Sequence, residues 1–488
     1  MPGSDRFQSP WGLIGASLGF SIGIGNFLFF PRLALQYGGG TFLIPWMICM
    51  ATWSLPLLIA ECWLGKGSRR GVVQTVIQVM GEKYAWIGMF MGVTCLAILF
   101  YHSVVIGWLM KYMIFSFTDT FDNIDLELSQ TIWESYSQSF TPMISHLVVI
   151  SIGASIVYLG VNHGIQRINL VLVPMLFLLA FGGLVFSVSL PGTEIGISRF
   201  FFLGGDGLAD IHIWMDALAY SAVSFAVGMG IYLTYSTYSR FQKQTTLEGV
   251  IIAFGTHAFA LVTAVGVISL VYGVLTPAEV DRVFNSGVKD MDFGLIWMPK
   301  LFSGMPAGEY FVIWFFVCLF LVSMTTLIGL LELPIRVCMD FGLQRHQSVL
   351  LVWLVTALFG MPGAIYNPLL TNQNFVWGNG LILAGIFMSL VFRRCILTLS
   401  KEMGSTESGK TSAPDFWVKF IFRFFIPLQG VLLLTGFVNQ GVKNHPDNWW
   451  NPFAVATPAT WMVQCGLVLV ALYFLNGRIR FLLKKPKP

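Results

Sequence analysis

Apolar residues gather along this chain in runs of about twenty, parted by short polar stretches, and the alternating ten-residue pattern of barrel strands is absent. The runs lie near 11–35, 40–64, 84–115, 143–159, 165–188, 213–239, 248–274, 309–340, 347–361, 373–396, 414–438 and 459–482. Runs of this kind cross a hydrocarbon layer roughly 30 Å thick, where the backbone must satisfy its own hydrogen bonds. The pattern therefore predicts an all-α integral membrane protein with about twelve transmembrane helices.

Composition agrees: of 488 residues 56% are hydrophobic and 11% charged, with 43 Phe and 16 Trp, which excludes a soluble domain. The opening "MPGSDRFQSP" lacks the apolar core of a cleavable signal, so residues 1–10 are expected to be a cytoplasmic segment and the first run a retained span. Basic residues fall on one side: Lys66, Arg69, Arg70 and Lys83, then Arg240 and Lys243, then Arg393, Arg394, Lys401 and Lys410, then Arg478 to Lys487. Long acidic or mixed loops, "FTDTFDNIDLELSQTIWES" and "PAEVDRVFNSGVKDMDFG", fall on the other, which places both termini in the cytoplasm and the chain in the plasma (inner) membrane. A net charge of +4 gives no ground for nucleic-acid binding, and the lipid bilayer is the expected surrounding. The seven cysteines lie in or at the ends of the runs, with neither a disulfide framework nor metal-ligand spacing.

Two runs are weakened at their centres. In "GFSIGIGNFLFFPRLALQYGGG", Gly19, Gly23, Gly25 and Asn26 interrupt the first, although each glycine costs about 1 kcal/mol against alanine in a helix. In "AYSAVSFAVGMGIYLTYSTYSR", Ser224, Gly228 and Gly230 interrupt the sixth, where the first would recur if the protein were two five-helix repeats. Paired interruptions point to a midplane site built from broken helices, whose ends offer free N–H and C=O groups; close helix packing through small residues uses the same glycines. Glu61, in "LLIAECWLG", is a carboxylate in an apolar run and is suited to capping the break in the sixth helix. The eighth run carries Thr325 and Thr326, followed by Glu332 and Asp340. Such hydroxyls often bond back to their own helix, but beside two broken helices they read as hard oxygen ligands for a small cation.

"GIGNFLFFP" with "GGGTFLIPW", "YHSVVIGW" and "SMTTLIGLLELPIRVCMD" together resemble the neurotransmitter:sodium symporter family, the group that includes the bacterial leucine transporter. The resemblance covers ten spans and implies a 5+5 inverted repeat with helices 1 and 6 broken: residues 11–188 as the first repeat, 189–398 as the second, and 399–488 as helices 11 and 12 with a basic cytoplasmic end. It implies two sodium sites. The second would use carbonyls of Gly19, Ile22 and Val322 and hydroxyls of Thr325 and Thr326; the first would use Ser21, Asn26, Ser224 and Thr256, where many members carry asparagine in place of Thr256. A substrate carboxylate would lie at the Ile24 and Gly25 amides, the ammonium at carbonyls around Ser21, Val223, Ser224 and Ala226, and an apolar side chain among Phe20, Ile98, Val223, Ala226, Met229 and Leu330, beside Thr326. Gly23 stands where amine-transporting members have aspartate, which favours a substrate that brings its own carboxylate.

His102 stands where the family presents a tyrosine hydroxyl, and is either a structural donor or a group that meets the substrate carboxylate. Protonation of His102 or His257 would tune affinity near neutral pH. Trp46, Tyr220 and Ala260 replace the groups that bind chloride, so no chloride is expected. The outer gate loses its ion pair to Phe29 and Asn374, with Arg32 nearby, while Tyr238 and Asp340 match the inner gate with Arg6 as the displaced basic partner. The implied function is sodium-coupled import of a small zwitterion, most simply a neutral or hydrophobic amino acid, and not an enzymatic one. The alternative is a non-transporting membrane sensor or binding protein that keeps the fold. The substrate's identity, the sodium stoichiometry and the oligomeric state are not encoded in these motifs.

Overall fold

The computed structural model describes residues 6–241, 244–285, 290–403 and 419–484, and their regular structure is helical throughout. In chain order the membrane-scale helices are α1 (Pro10–Ser21), α2 (Gly25–Gln36), α3 (Gly40–Ser68), α4 (Glu82–Ser116), α5 (Thr141–Tyr158), α6 (Val161–Val188), α7 (Ile211–Phe225), α8 (Ile231–Thr237), α9 (Thr245–Val274), α10 (Gly308–Asp340), α11 (Arg345–Ile365), α12 (Asn367–Cys395), α13 (Ile421–Asn444) and α14 (Pro458–Leu483). Ten of these are long and apolar enough to cross a membrane, and α1 with α2 make an eleventh span bent by 56°. The pair α7 and α8, parted by residues 226–230, is the twelfth span of the hydropathy pattern.

The first break is built differently from what its glycines suggest. Ser9 accepts a hydrogen bond from the Gly12 N–H at 3.1 Å and Pro10 occupies the first turn, so α1 starts on a capped end. The helix stops because Ile22 turns extended, at φ −79° and ψ 103°, while Gly19, Gly23 and Gly25 keep negative φ. Those glycines remove side chains where other groups must come close. The second break does use left-handed backbone: Ala226 at φ 47°, Gly228 at φ 102° and Gly230 at φ 98°. At Gly228 a Cβ would also run into the backbone of Gly385 on α12, so both conformation and space demand glycine there.

The broken helices sit inside the bundle. α1 lies against α6 and α10, α2 against α9, and α8 against α3, while α4 runs along α5, α10, α11 and α12. Helices α13 and α14 pack on α12 and α4 at the periphery, with about a third of their apolar windows buried against two thirds for α10. Within the two long polar loops the chain folds into further helices, Leu126–Ser137 and Pro277–Asn285, where the sequence pattern predicts none. Asp125 caps the first by accepting from the Leu128 N–H at 2.7 Å. Arg478, Arg480 and Lys484 lie on the last helix, and Arg480 pairs with Glu82 at 2.6 Å. The start of the eleventh apolar run at 414–418, and Lys243, Lys410, Lys485 and Lys487, lie outside the described residues.

Candidate functional site

Where α1 ends, its last carbonyls lack helical partners and face the threonine pair of α10. Thr326 Oγ1 lies 3.3 Å from the Phe20 carbonyl, 3.4 Å from that of Ile22 and 3.3 Å from that of Val322. Thr325 donates to the Val322 carbonyl at 2.7 Å and packs on Gly19, where an added Cβ would come within 3.2 Å of Thr325 Cβ. Gly19, Ile22, Val322, Thr325 and Thr326 are thus neighbours where the end of α1 packs on α10, and their carbonyls and hydroxyls are hard, uncharged oxygens. That donor set suits a small monovalent cation.

One turn away, Ser21, Asn26 and Thr256 are all buried. The Thr256 and Ser21 hydroxyls stand 2.6 Å apart, and each also has a carbonyl of its own helix as acceptor, Ile252 at 2.8 Å and Leu18 at 3.1 Å, so three contacts share two protons. Asn26 Oδ1 accepts from the Tyr220 hydroxyl at 3.1 Å, and its backbone carbonyl accepts from Thr263 at 3.0 Å, which fixes the side chain at the start of α2. Ser224 lines the neighbouring cavity.

That cavity, of about 230 Å³, lies between the two breaks. Phe20, Ser21, Gly23, Ile24, Gly25, Ile98, His102, Val223, Ser224, Ala226, Met229, Thr326 and Leu330 all line it. Its polar end is the first turn of α2, where the Ile24 and Gly25 amides precede any intrahelical partner and the helix dipole is positive. A Cβ on Gly23 would find only Thr326 Oγ1 within contact range, at 3.9 Å, so glycine leaves open space there. His102 Nε2 is buried without a hydrogen-bond partner. The rest of the wall is mostly apolar, broken by the hydroxyls of Ser21, Tyr101, Tyr220, Ser224 and Thr326 and the amides of Asn26 and Asn374.

The second break is held by Glu61. Its carboxylate accepts from the Gly228 N–H at 2.5 Å and the Leu233 N–H at 3.3 Å, while the Tyr232 hydroxyl donates to the Phe225 carbonyl at 2.8 Å. A fully buried carboxylate thus takes the place of the missing helical turn.

Phe29 and Asn374 both line the cavity, as do Trp108, Met291 and Leu370. Outside the lining lies a mostly buried polar cluster. There Tyr238 donates to Glu332 at 2.6 Å, Arg345 reaches both Glu332 oxygens at 2.7 and 3.2 Å, and the Arg336 guanidinium covers the Tyr238 ring at 5.4 Å. Phe7 is buried beneath this cluster, its N–H donating to the Tyr238 carbonyl at 3.1 Å. Asp340 pairs with Arg336 on its own helix at 3.5 Å, and Arg6, which the sequence comparison offered as its partner, is exposed and lies within electrostatic range of Arg69 instead. The displaced register of the N-terminal segment accounts for this: Phe7, not Arg6, turns inward. His257 stacks on Trp46 at 3.8 Å and on Phe225 at 5.3 Å, packed between rings outside the cavity lining.

Several lining residues escaped sequence reasoning, among them Tyr101, Val105, Trp108 and Gly378. Val105 and Trp108 follow His102 at helical spacing on α4 and could have been found from it. Glu332 stood out only as an intramembrane carboxylate; its partner Arg345 begins the next helix and carried no motif.

A profile of the Sodium:neurotransmitter symporter family matches residues 5–124 and 121–480. An uncharacterized sodium-dependent transporter of Methanocaldococcus jannaschii is 26% identical over 385 residues, covering 75% of each chain. The sodium-dependent serotonin transporter of Drosophila melanogaster is 24% identical over 528 residues, covering 96% of this chain and 82% of its own. The crystal structure of MhsT in complex with L-phenylalanine superposes with a TM-score of 0.77 at 21% identity, covering 89% of this chain and 99% of that one, which establishes the shared fold. A multi-pass helical bundle with paired broken helices, matched by this profile along nearly all its length, belongs to the sodium:neurotransmitter symporter family.

Proposed function

We propose that the chain is a sodium-coupled symporter that imports a small zwitterion, a neutral or hydrophobic amino acid, by alternating access without chloride. One observation carries this reading: the cavity joins a helix N-terminus and an unpartnered His102 nitrogen to a mostly apolar wall lined by no Asp, Glu, Lys or Arg, with an empty glycine position at Gly23. An anionic group belongs at the helix start, and the wall offers no counter-charge for a charged side chain. A substrate carboxylate accepts from Ile24, Gly25 and His102, while the ammonium meets carbonyls near Ser21 and Val223. L-Phenylalanine in MhsT is a ligand of this chemical kind.

In this reading sodium at Gly19, Ile22, Val322, Thr325 and Thr326 ties α1 to α10, and a second ion at Ser21, Asn26, Ser224 and Thr256 sits beside the substrate. Sodium favours whichever state brings these oxygens together, and only that difference in affinity shifts the equilibrium. The Glu332 cluster with Tyr238, Asp340 and Phe7 is the cytoplasmic gate, and Phe29 with Asn374 is a neutral outer gate. Both termini face the cytoplasm, and the first and second repeats divide near residue 188. Ala260 supplies no hydroxyl for chloride, and the neighbouring space holds the stacked rings of Trp46 and His257.

Thermal-shift titration of the purified protein with the twenty amino acids, with sodium or with potassium, tests the substrate assignment. Sodium-dependent stabilisation by at least one neutral amino acid is expected. His102→Ala weakens that ligand about tenfold and His102→Tyr restores it, as the loss and return of one hydrogen bond to a carboxylate require. Absence of stabilisation by any amino acid in sodium contradicts the assignment.

A further inference from the structure

On α6, the side chain of Asn169 faces α1. Its Nδ2 donates to the Ile165 carbonyl one turn back at 2.8 Å, and this bond fixes the amide's orientation, because the flipped form would set two oxygens against each other. Oδ1 therefore points at α1. It is fully buried and receives no hydrogen bond. A Cβ built on Gly19 would collide with this oxygen and stand 3.2 Å from both Thr325 Cβ and Val173 Cγ2. Asn169 Oδ1 and Thr325 thus both pack on Gly19, next to the end of α1 and the threonine pair of α10.

One turn earlier on the same face of α6, Gln166 directs its Oε1 at α1 too, and there it accepts from the Gln8 N–H at 2.8 Å. Polar groups along this seam find protein donors where α1 has N–H groups to give. At Gly19 the helix interior has none, and the Thr325 and Thr326 hydroxyls give their protons to the Val322 and α1 carbonyls, so no donor is left for the Asn169 oxygen. Oxygens that outnumber the protons shared among them are unfavourable empty and favourable around a cation.

We infer that Asn169 Oδ1 is a further oxygen ligand of the second sodium, supplied by α6 in addition to the α1 and α10 set. The inference rests on the sodium reading of that site. A neutral amide adds coordination without charge, and it makes closure of the α1–α6 seam part of sodium binding, so that drawing α6 away removes a ligand.

Sodium titration of the full-length protein in detergent, without substrate and read by tryptophan fluorescence or 22Na scintillation proximity, tests it. Asn169→Leu and Asn169→Ala are expected to lower apparent sodium affinity about 5–30-fold, while melting in potassium stays at or above the wild-type value because an unpaired buried oxygen is gone. Asn169→Asp is expected to bind sodium more tightly than wild type. If Thr325→Val loses sodium affinity while both Asn169→Leu and Asn169→Ala bind as wild type, the Asn169 ligand is refuted and the second site stands. If Thr325→Val is also unaffected, the sodium reading of the site fails with it.

Discussion

Glu61→Ala is expected to be among the most damaging single substitutions in the protein. The carboxylate accepts from the Gly228 and Leu233 amides inside the break of the sixth span, in a fully buried position. Water cannot reach those amides, so removing the acceptor leaves them unpaired at roughly 1–3 kcal/mol each, about 2–6 kcal/mol together. Neither neighbour can close the gap, because Gly228 is held in a left-handed conformation against Gly385 and α8 starts only at Ile231. The apparent melting temperature in detergent is expected to fall by roughly 5–10 °C. Glu61→Gln keeps one acceptor oxygen but turns an NH2 donor toward backbone N–H groups, so its loss should be intermediate. Wild-type melting of Glu61→Ala would show that the break closes by other means.

The second large effect concerns the threonine pair. Thr325→Val keeps shape and removes the hydroxyl of a residue packed on Gly19; on the proposed sodium reading this is expected to lower apparent sodium affinity about 10–100-fold, equivalent to about 1.4–2.7 kcal/mol. Thr326→Val removes, on the proposed sodium reading, a ligand oxygen, and with it the hydroxyl that lies between the Phe20, Ile22 and Val322 carbonyls. It should therefore cost sodium affinity and also loosen α1 against α10, visible as lower melting even in potassium. The double variant should show no sodium response from this site. Sodium titration by tryptophan fluorescence checks all three, and unchanged affinity in Thr325→Val would remove that hydroxyl from the site.

What the sequence disclosed, and what it hid, follows from where each signal resides. Glycines, an asparagine and a carboxylate inside apolar runs are costly, so Gly19, Asn26, Gly228 and Glu61 announce themselves within a single span. The mechanism of the first break was hidden, because an isoleucine, Ile22, adopts the extended backbone while the glycines serve close approach. Pairings between distant helices were hidden too. The Tyr220 hydroxyl reaches Asn26, Arg345 reaches Glu332, and Asn169 faces Gly19, each through tertiary packing that no local pattern encodes. Arg6 illustrates the converse error: a residue transferred by motif lay one position from the side chain that turns inward, Phe7. Surface polarity also misled at the long loops, where charged sequence forms short amphipathic helices.

Uptake into proteoliposomes tests sodium-coupled import most directly. With sodium outside and potassium inside, the amino acid that stabilises the protein is expected to accumulate above its external concentration. Accumulation should collapse when an ionophore dissipates the sodium gradient and persist when gluconate replaces chloride. Sodium-dependent binding of the same amino acid with no gradient-driven accumulation and no counterflow would contradict the transport account and identify the chain as a sensor or binding protein built on the transporter fold.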